Sequence, residues 1–521
     1  MEIKAAVFYI AYCIVLVQAS IPSDDHYWAG VVEFSYKDKD TEDASVNTAK
    51  NLERYVQMIN SSETDPVDII VFPEYGLNAI ETASFVPGAD EKIAPCNNFE
   101  YERIVQDLSC VARARRKYLV VNLVEKAVCP EKEDTRRCAA DGLYHFNTNV
   151  VYDRNGVVIA RYRKYNLFGE RGINTTTSVE TVRFETDFGV LFGTFTCFDL
   201  MFDQPALQLI RDGVTDIIFT TMWFSELPFL TAAQIQQAWA FENNVNFLAS
   251  GASYPEIGST GTGIFAGKRG RILAIMNHQA DVKLYVAKVP KIDRAEAEIN
   301  RQPVVKYNPS EMKNLKLKRD QLDTYETVNL PLESSNNYTL TLCQTSLCCN
   351  FTLNYTVNLP VSNQQFYRYR LAVNNGARTF DGFADGFITA CAIFACTGDN
   401  LETCGARFEN SNTTVNAIQF NSIDLHGVFP GDDEVFLMPN SVDMSILPLE
   451  VDEFQYSERK FLEDTKTFKE IRHTLISPRS DLFTFAIWGR QFVSTSSGVV
   501  LQNTLVLFVT IFSILFVKLA F

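Results

Sequence analysis

Histidine is scarce in this sequence. Only five occur, His26, His145, His278, His426 and His473, and no two stand at a metal-ligand spacing. That speaks against a zinc site and withholds the usual general base from any nucleophile the chain carries. Basic residues are also in deficit. Lys and Arg number 47 against 63 Asp and Glu, a net charge of −16, which makes nucleic acid and anionic lipid poor partners. No internal repeat and no low-complexity tract is present, and an apolar content of 46% excludes a disordered chain. An even set of cysteines is missing too. Of the 12 cysteines, Cys13 lies in an apolar N-terminal stretch, and its removal would leave eleven.

That stretch, Ala5 to Val17 ahead of Gln18-Ala19-Ser20, predicts a signal peptide over 1–19, too short to span a bilayer. Leu505 to Phe521 forms an apolar tail preceded by the small residues Ser494 to Gly498. Segment 494–521 therefore reads as a GPI-attachment signal or a C-terminal membrane segment. Either places the body of the protein outside the cell, held by a lipid anchor or the segment itself. Six Asn-X-Ser/Thr sites, at Asn60, Asn174, Asn337, Asn350, Asn354 and Asn412, fit an exported, glycosylated chain.

Between these ends the texture changes once. Residues 27–290 alternate strand and helix patterns. Strands are expected at 27–34, 67–73, 118–123, 215–220 and 245–252, helices at 44–59, 99–117, 205–211 and 232–243, and a hairpin at 144–162 turning at Asp153 to Gly156. The alternation predicts an α/β layered domain. Residues 291–323 are charged and contain Pro303 and Pro309, and read as a linker or an exposed wrap. Residues 324–490 alternate like half-exposed strands and hold six cysteines, predicting a β-rich domain stapled by three disulfides of undetermined pairing. Cys96, Cys110, Cys129 and Cys138 would form two more. Cys197 is left over.

Cys197 ends the apolar run Val190 to Thr196 at a strand-to-helix corner. A thiol near a helix N-terminus is expected to favour thiolate. Two other strand ends carry ionisable groups in apolar surroundings: Glu74 in Phe72-Pro73-Glu74-Tyr75-Gly76, and Lys164 in Arg161 to Phe168. If their strands are neighbours, Glu74, Lys164 and Cys197 converge at one sheet edge. Taken singly, each has a plainer reading: a surface acid, a solvated cation and an inert core thiol.

Together, Phe72-Pro73-Glu74-Tyr75-Gly76, Arg161 to Phe168 and Phe195-Thr196-Cys197-Phe198-Asp199 resemble the three catalytic blocks of the nitrilase superfamily, in that family's order. The vanin and biotinidase branch is the nearest likeness, supported by Val245 to Ser250, Leu347-Cys348-Cys349 and the C-terminal tail. The resemblance implies a nitrilase-like α-β-β-α sandwich with a smaller, disulfide-stapled β-rich C-terminal domain. It implies hydrolysis of a linear amide of a small molecule through a cysteine thioester, with no metal or organic cofactor. Glu74 would be the general base, Lys164 the oxyanion stabiliser and Cys197 the nucleophile, with the Phe198 N–H as a second oxyanion donor. Glu170 would help position substrate, or be a surface acid; Trp223 and Phe224 would line the pocket, or pack the core. Asp199 would orient backbone amides or cap the turn. Pantetheine is the expected substrate, with biotinyl amides as the alternative within the class and a catalytically silent binding or adhesion protein of the same fold as the alternative outside it.

Overall fold

The computed structural model describes residues 19–35, 43–130, 136–294, 297–307, 310–333, 336–360, 364–408, 413–431 and 434–492. The leader 1–18, the sequon Asn412 and the tail 494–521 lie outside the described residues. The first domain contains β1 (His26–Phe34), α1 (Ala44–Asn60), β2 (Ile69–Val71), α2 (Arg103–Arg115), β3 (Tyr118–Val128), β4 (Leu143–Tyr152), β5 (Val158–Arg163), β6 (Val182–Glu185) and β7 (Leu191–Thr196). It continues through α3 (Gln208–Arg211), β8 (Asp216–Thr221), β9 (Glu226–Leu227), α4 (Ala232–Asn243), β10 (Asn246–Gly251), β11 (Thr262–Ala266), β12 (Arg271–Ile275) and β13 (Val282–Pro290).

Two six-stranded sheets form, ordered β13-β1-β2-β3-β4-β5 and β12-β11-β10-β8-β7-β6. Each has a parallel centre and antiparallel flanks. The strand sequences explain the layering, because their alternate residues go to opposite faces and both faces are apolar. Ala29, Val31, Ile69 and Val71 meet Ile218, Leu248 and Ile264 of the other sheet, while Val32, Phe34, Ile70 and Phe72 turn outward onto Leu52, Tyr55 and Leu108 of α1 and α2. On the far side, Ile217 and Phe219 pack under Ile235, Ala238 and Trp239 of α4. The result is helix, sheet, sheet, helix. Two helices are shorter than the sequence pattern suggests. α2 begins at Arg103, with the turn-forming stretch at Asn98 ahead of it. Of the helix expected at 205–211, only Gln208–Arg211 is regular, because Gln204 has extended backbone geometry.

The second domain is a sandwich of two antiparallel sheets. Its strands are β14 (Lys318–Arg319), β15 (Glu326–Asn329), β16 (Asn336–Gln344), β17 (Leu347–Val357), β18 (Gln365–Phe366), β19 (Arg368–Phe380), β20 (Ala384–Cys396), β21 (Thr414–Val415), β22 (Ile418–Pro430), β23 (Val435–Asp443), β24 (Phe454–Glu463), β25 (Lys466–Leu475) and β26 (Leu482–Gln491). The sheets run β15-β19-β20-β26-β23 and β16-β17-β22-β25-β24. Cys349 on β17 bridges to Cys391 on β20 and so ties one sheet to the other. A loop of that length stabilises the fold by about 4 kcal/mol in the chain-entropy picture. The other pairs are Cys96–Cys110, Cys129–Cys138, Cys343–Cys348 and Cys396–Cys404, and Cys197 is free. Asn337 and Asn354 face each other across β16 and β17, with a 2.8 Å hydrogen bond between their side chains.

The two domains share a core. α4 is buried on every side from Ala232 to Phe241, so it has no polar face for solvent. Its inner face covers the second sheet. Its outer face meets β23, where Gln234 donates to Asn440 Oδ1 at 2.5 Å, and the segment after β23, where Gln237 donates to the Leu449 carbonyl at 2.6 Å. Within 291–323, Met312, Leu315 and Leu322 are buried, and β14 pairs in parallel with β9.

Several carboxyl groups are deeply buried. Burial pushes Glu33 and Glu242 up to about 7, and Asp199 and Asp216 up to about 6. A carboxyl raised in the folded state binds protons more tightly there than in the unfolded chain, so its contribution is present at low pH and lost as pH rises through the raised value. His473 opposes this: burial pulls it down to about 3, which costs stability as pH falls below its ordinary range. Asp320 is likewise raised to about 7, and Asp443 and Glu226 are raised too, so the raised acids outweigh one depressed histidine. The melting temperature is therefore expected to fall between pH 5 and pH 7.5 in calorimetry; a rising profile over that window contradicts the assignment.

Candidate active site

Three strand ends meet above the junction of the two sheets. Glu74 lies just beyond β2, Lys164 just beyond β5, and Cys197 just beyond β7. The expectation of one shared sheet edge is corrected here: β3 and β4 separate β2 from β5, and Cys197 comes from the opposite sheet. The site is assembled across the sandwich.

Glu74 is almost fully buried and held by three donors. Its Oε1 accepts from Asn147 Nδ2 at 2.7 Å and from Lys164 Nζ at 2.9 Å, and its Oε2 accepts from the Met222 N–H at 2.7 Å. The bend that presents it requires unusual backbone. Tyr75 has φ +55° and donates its N–H to Asn122 Oδ1 at 2.9 Å. A Cβ on Gly76 would stand 2.3 Å from the Tyr55 hydroxyl, so only glycine fits the next position.

Lys164 is equally enclosed. Its N–H donates to the Asn147 carbonyl at 2.8 Å, and its Nζ also donates to Glu170 Oε1 at 2.6 Å. Glu170 in turn accepts the Phe168 N–H. Burial works against the ammonium, but the charges of Glu74 and Glu170 outweigh it and hold Lys164 well above its ordinary value. Lys164 is a permanent cation.

Cys197 is 7% exposed, has φ +49° and opens a 3-10 turn, Cys197–Met201. Asp199 fastens this turn to the Lys164 loop. It accepts from the Thr196 N–H at 3.1 Å, the Tyr162 hydroxyl at 2.7 Å, and the Asn166 N–H and Nδ2 at 2.9 Å each. The thiolate expectation does not hold. Burial, with the Glu74 charge behind it, pushes the thiol well up, and Lys164 and the Thr221 hydroxyl offset this only in part. At rest Cys197 is a thiol near the Glu74 carboxylate, so any attack by its sulfur would require the proton to leave.

A polar strip between the sheets fixes these parts. Asn122 Nδ2 donates to Asn147 Oδ1 at 2.6 Å and to Asn149 Oδ1 at 3.0 Å. Asn149 Nδ2 donates to Thr194 Oγ1 at 2.8 Å, and Thr220 Oγ1 donates to Asn149 Oδ1 at 2.7 Å. Sequence reasoning missed these residues. The available signal was Asn147 and Asn149 at alternate positions, hence on one face, of a strand that ends in the apolar run Val150-Val151-Tyr152. Tyr75 was also missed as a site residue; its buried hydroxyl is kept protonated by desolvation and by Glu170 and Glu74. Tyr75, Glu170 and Met222 share a hollow of about 350 Å³.

The aromatic candidates flank the thiol. Phe198, Trp223 and Phe224 line one cavity of about 30 Å³ with Cys197, Phe168, Met201, Glu226, Leu230 and Phe380. Trp223 is pinned by a 2.8 Å hydrogen bond from Nε1 to the Leu230 carbonyl. Among the described residues no cluster of His, Cys, Asp and Glu is placed to hold a metal, and no helix is long and apolar enough to cross a membrane.

Residues 39–290 match the carbon-nitrogen hydrolase family model, and residues 315–495 match the Vanin C-terminal domain model. Vanin-like protein 1 of Drosophila melanogaster is 40% identical over 91% of this chain and 87% of its own length. The chain belongs to the vanin family of carbon-nitrogen hydrolases. This vanin-family hydrolase is also similar to Homo sapiens pantetheinase, at 31% identity over 90% of this chain and 89% of that protein. It resembles Bos taurus biotinidase as well, at 31% over 68% of this chain and 73% of that protein. It is a nitrilase-superfamily enzyme that acts on amides.

A raised thiol has a direct signature. Alkylation of Cys197 by iodoacetamide is expected to keep accelerating beyond about pH 9, where an ordinary thiol levels off. A plateau below pH 8 would indicate a preformed thiolate.

Proposed function

We propose that this vanin-family hydrolase converts pantetheine and water to pantothenate and cysteamine. The observation that carries the reading is the buried Glu74–Lys164 ion pair, 2.9 Å between Nζ and Oε1, in the same enclosed site as the free thiol of Cys197. In the first half-reaction Cys197 Sγ attacks the amide carbonyl carbon while its proton passes to Glu74. The carbonyl oxygen becomes an oxyanion, stabilised by the Lys164 ammonium and the Phe198 N–H. The C–N bond breaks, protonated Glu74 returns the proton to the nitrogen, and cysteamine departs, leaving a thioester on Cys197. In the second half-reaction Glu74 takes a proton from water, the hydroxyl oxygen adds to the thioester, and collapse releases pantothenate and restores the thiol. Glu170 steadies Lys164, and Trp223 and Phe224 border the substrate.

Pantetheine is preferred over a biotinyl amide because the likeness to pantetheinase extends over more of this chain than the likeness to biotinidase. An exported, glycosylated protein with a GPI-anchored C-terminus accompanies this reading, supported by five disulfides, which persist in oxidising compartments.

Side-by-side assay of pantetheine and biotinyl-lysine tests the substrate. Cysteamine release from pantetheine is expected to be the faster reaction, and Cys197→Ala is expected to lower kcat at least about 1,000-fold. Faster turnover of biotinyl-lysine overturns the substrate, and undiminished turnover by Cys197→Ala overturns the nucleophile.

A further inference from the structure

A separate cavity, of about 540 Å³, lies between the segment 313–319 and the second domain. Its lining carries four cations, Lys313, Lys316, Arg319 and Arg407, and no carboxylate. In a chain of net charge −16 this is a local reversal of sign. Lys313, Lys316 and Arg319 are exposed, whereas Arg407 is half-buried. Arg407 Nη2 donates to the Leu315 carbonyl at 2.5 Å, its one hydrogen bond among the described residues, so most of its five donors are unspent. Burial pulls its pKa below the ordinary guanidinium value, opposed by Tyr367 alone. Arg319 is held in place by the Cys404 and Leu401 carbonyls at 2.9 and 3.0 Å, and the acid it approaches, Asp323, stands 4.0 Å away. Lys313 and Lys316 have no ion-pair partner among the described residues. The Tyr367 hydroxyl accepts the Phe408 N–H at 3.1 Å and keeps its own proton to donate.

This cavity backs onto the catalytic one without joining it. The two are separated by the ribbon of β9 and β14, in which Glu226 pairs with Lys318 and Leu227 with Arg319. Glu226 lines the cavity of Cys197, and the Lys318 ammonium lies 5.9 and 5.5 Å from the ring centres of Phe168 and Phe224, which line it too. Leu227 and Arg319 line the basic cavity. Successive residues of a strand point to opposite faces, so one ribbon serves two cavities.

The lining names the ligand chemistry. A single carboxylate would balance one of the four charges, whereas a phosphate monoester carries nearly two at neutral pH and offers three acceptor oxygens. The space exceeds what a bare ion needs, since one water takes about 30 Å³. Leu227, Leu317, Tyr367 and Met444 give the remainder an apolar wall.

We propose that the cavity around Arg407 is a second binding site of this protein, for a small organic phosphate monoester with an apolar or aromatic body. It stands whether or not pantetheine is the substrate.

Titration calorimetry on the whole protein tests this, with phenyl phosphate as the probe beside phenyl sulfate, inorganic phosphate and phenol. Phenyl phosphate is expected to bind most tightly, and its affinity to fall as salt is raised. Arg407→Gln is expected to weaken it at least about tenfold, as is the pair Lys313→Gln with Lys316→Gln. If Arg407→Gln does not fold, the lysine pair, altered at exposed side chains, decides alone. Protein alkylated at Cys197 is expected to bind phenyl phosphate unchanged; loss of binding there would put the probe in the catalytic cavity and overturn the site. No binding to wild type, or undiminished binding to the variants, overturns it as well. Equal or tighter binding of phenyl sulfate, inorganic phosphate or phenol overturns the ligand class.

Discussion

The buried contact between Glu74 and Lys164 is the constraint the rest of the site answers to. Taking a carboxylate and an ammonium out of water costs several kcal/mol for each ion, and mutual attraction offsets that only when the remaining lone pairs and protons are also satisfied. Here they are. Glu74 takes a second hydrogen bond from Asn147 and a third from the Met222 N–H, and Lys164 gains Glu170. Those partners come from β4, from the end of β8 and from the loop after β5, so satisfying one ion pair fixes three segments. The asparagine and threonine strip beneath it extends the same logic across the gap between the sheets.

This arrangement replaces a histidine-based triad with a pair whose charges are already separated. Lys164 carries its positive charge before substrate arrives, so in the proposed mechanism stabilisation of the oxyanion would need no proton transfer or solvent rearrangement at the moment of attack. Cys197 remains protonated because the cavity around it is apolar and Glu74 is negative. In the proposed mechanism the cost of forming the anion would therefore be deferred to the step in which its charge flows into the carbonyl. Asp199 does a separate job: by binding Thr196, Tyr162 and Asn166 it holds the left-handed turn that aims Cys197.

Much of the first domain was legible because its strands are buried on both faces and read as short apolar blocks between helical stretches. β1, α1, α4 and β10 lie within a residue or two of their expected bounds. Glu74, Lys164 and Cys197 were legible as ionisable groups at strand ends. Their convergence across two sheets was not, because local pattern does not say which sheet a strand joins. The thiolate expectation failed for a related reason: a helix N-terminus is visible in sequence, whereas the burial of the thiol and the nearness of Glu74 are properties of the assembled molecule. The part played by the second domain was hidden too. The sequence pattern there suggests half-exposed strands, whereas Ile388 to Cys396 of β20 is buried on both faces, and Phe394 meets Phe229 of the first domain at 5.8 Å.

A helix without a solvent face, like α4, needs a cover on both sides at all times. One cover is the sheet it grew from; the other is β23, about two hundred residues further along the same chain. Were that cover a separate molecule, the helix would be completed only above some threshold of concentration. Because it is tethered, its local concentration is set by the length of chain between the two domains. The chain thus carries the cover of its own buried helix.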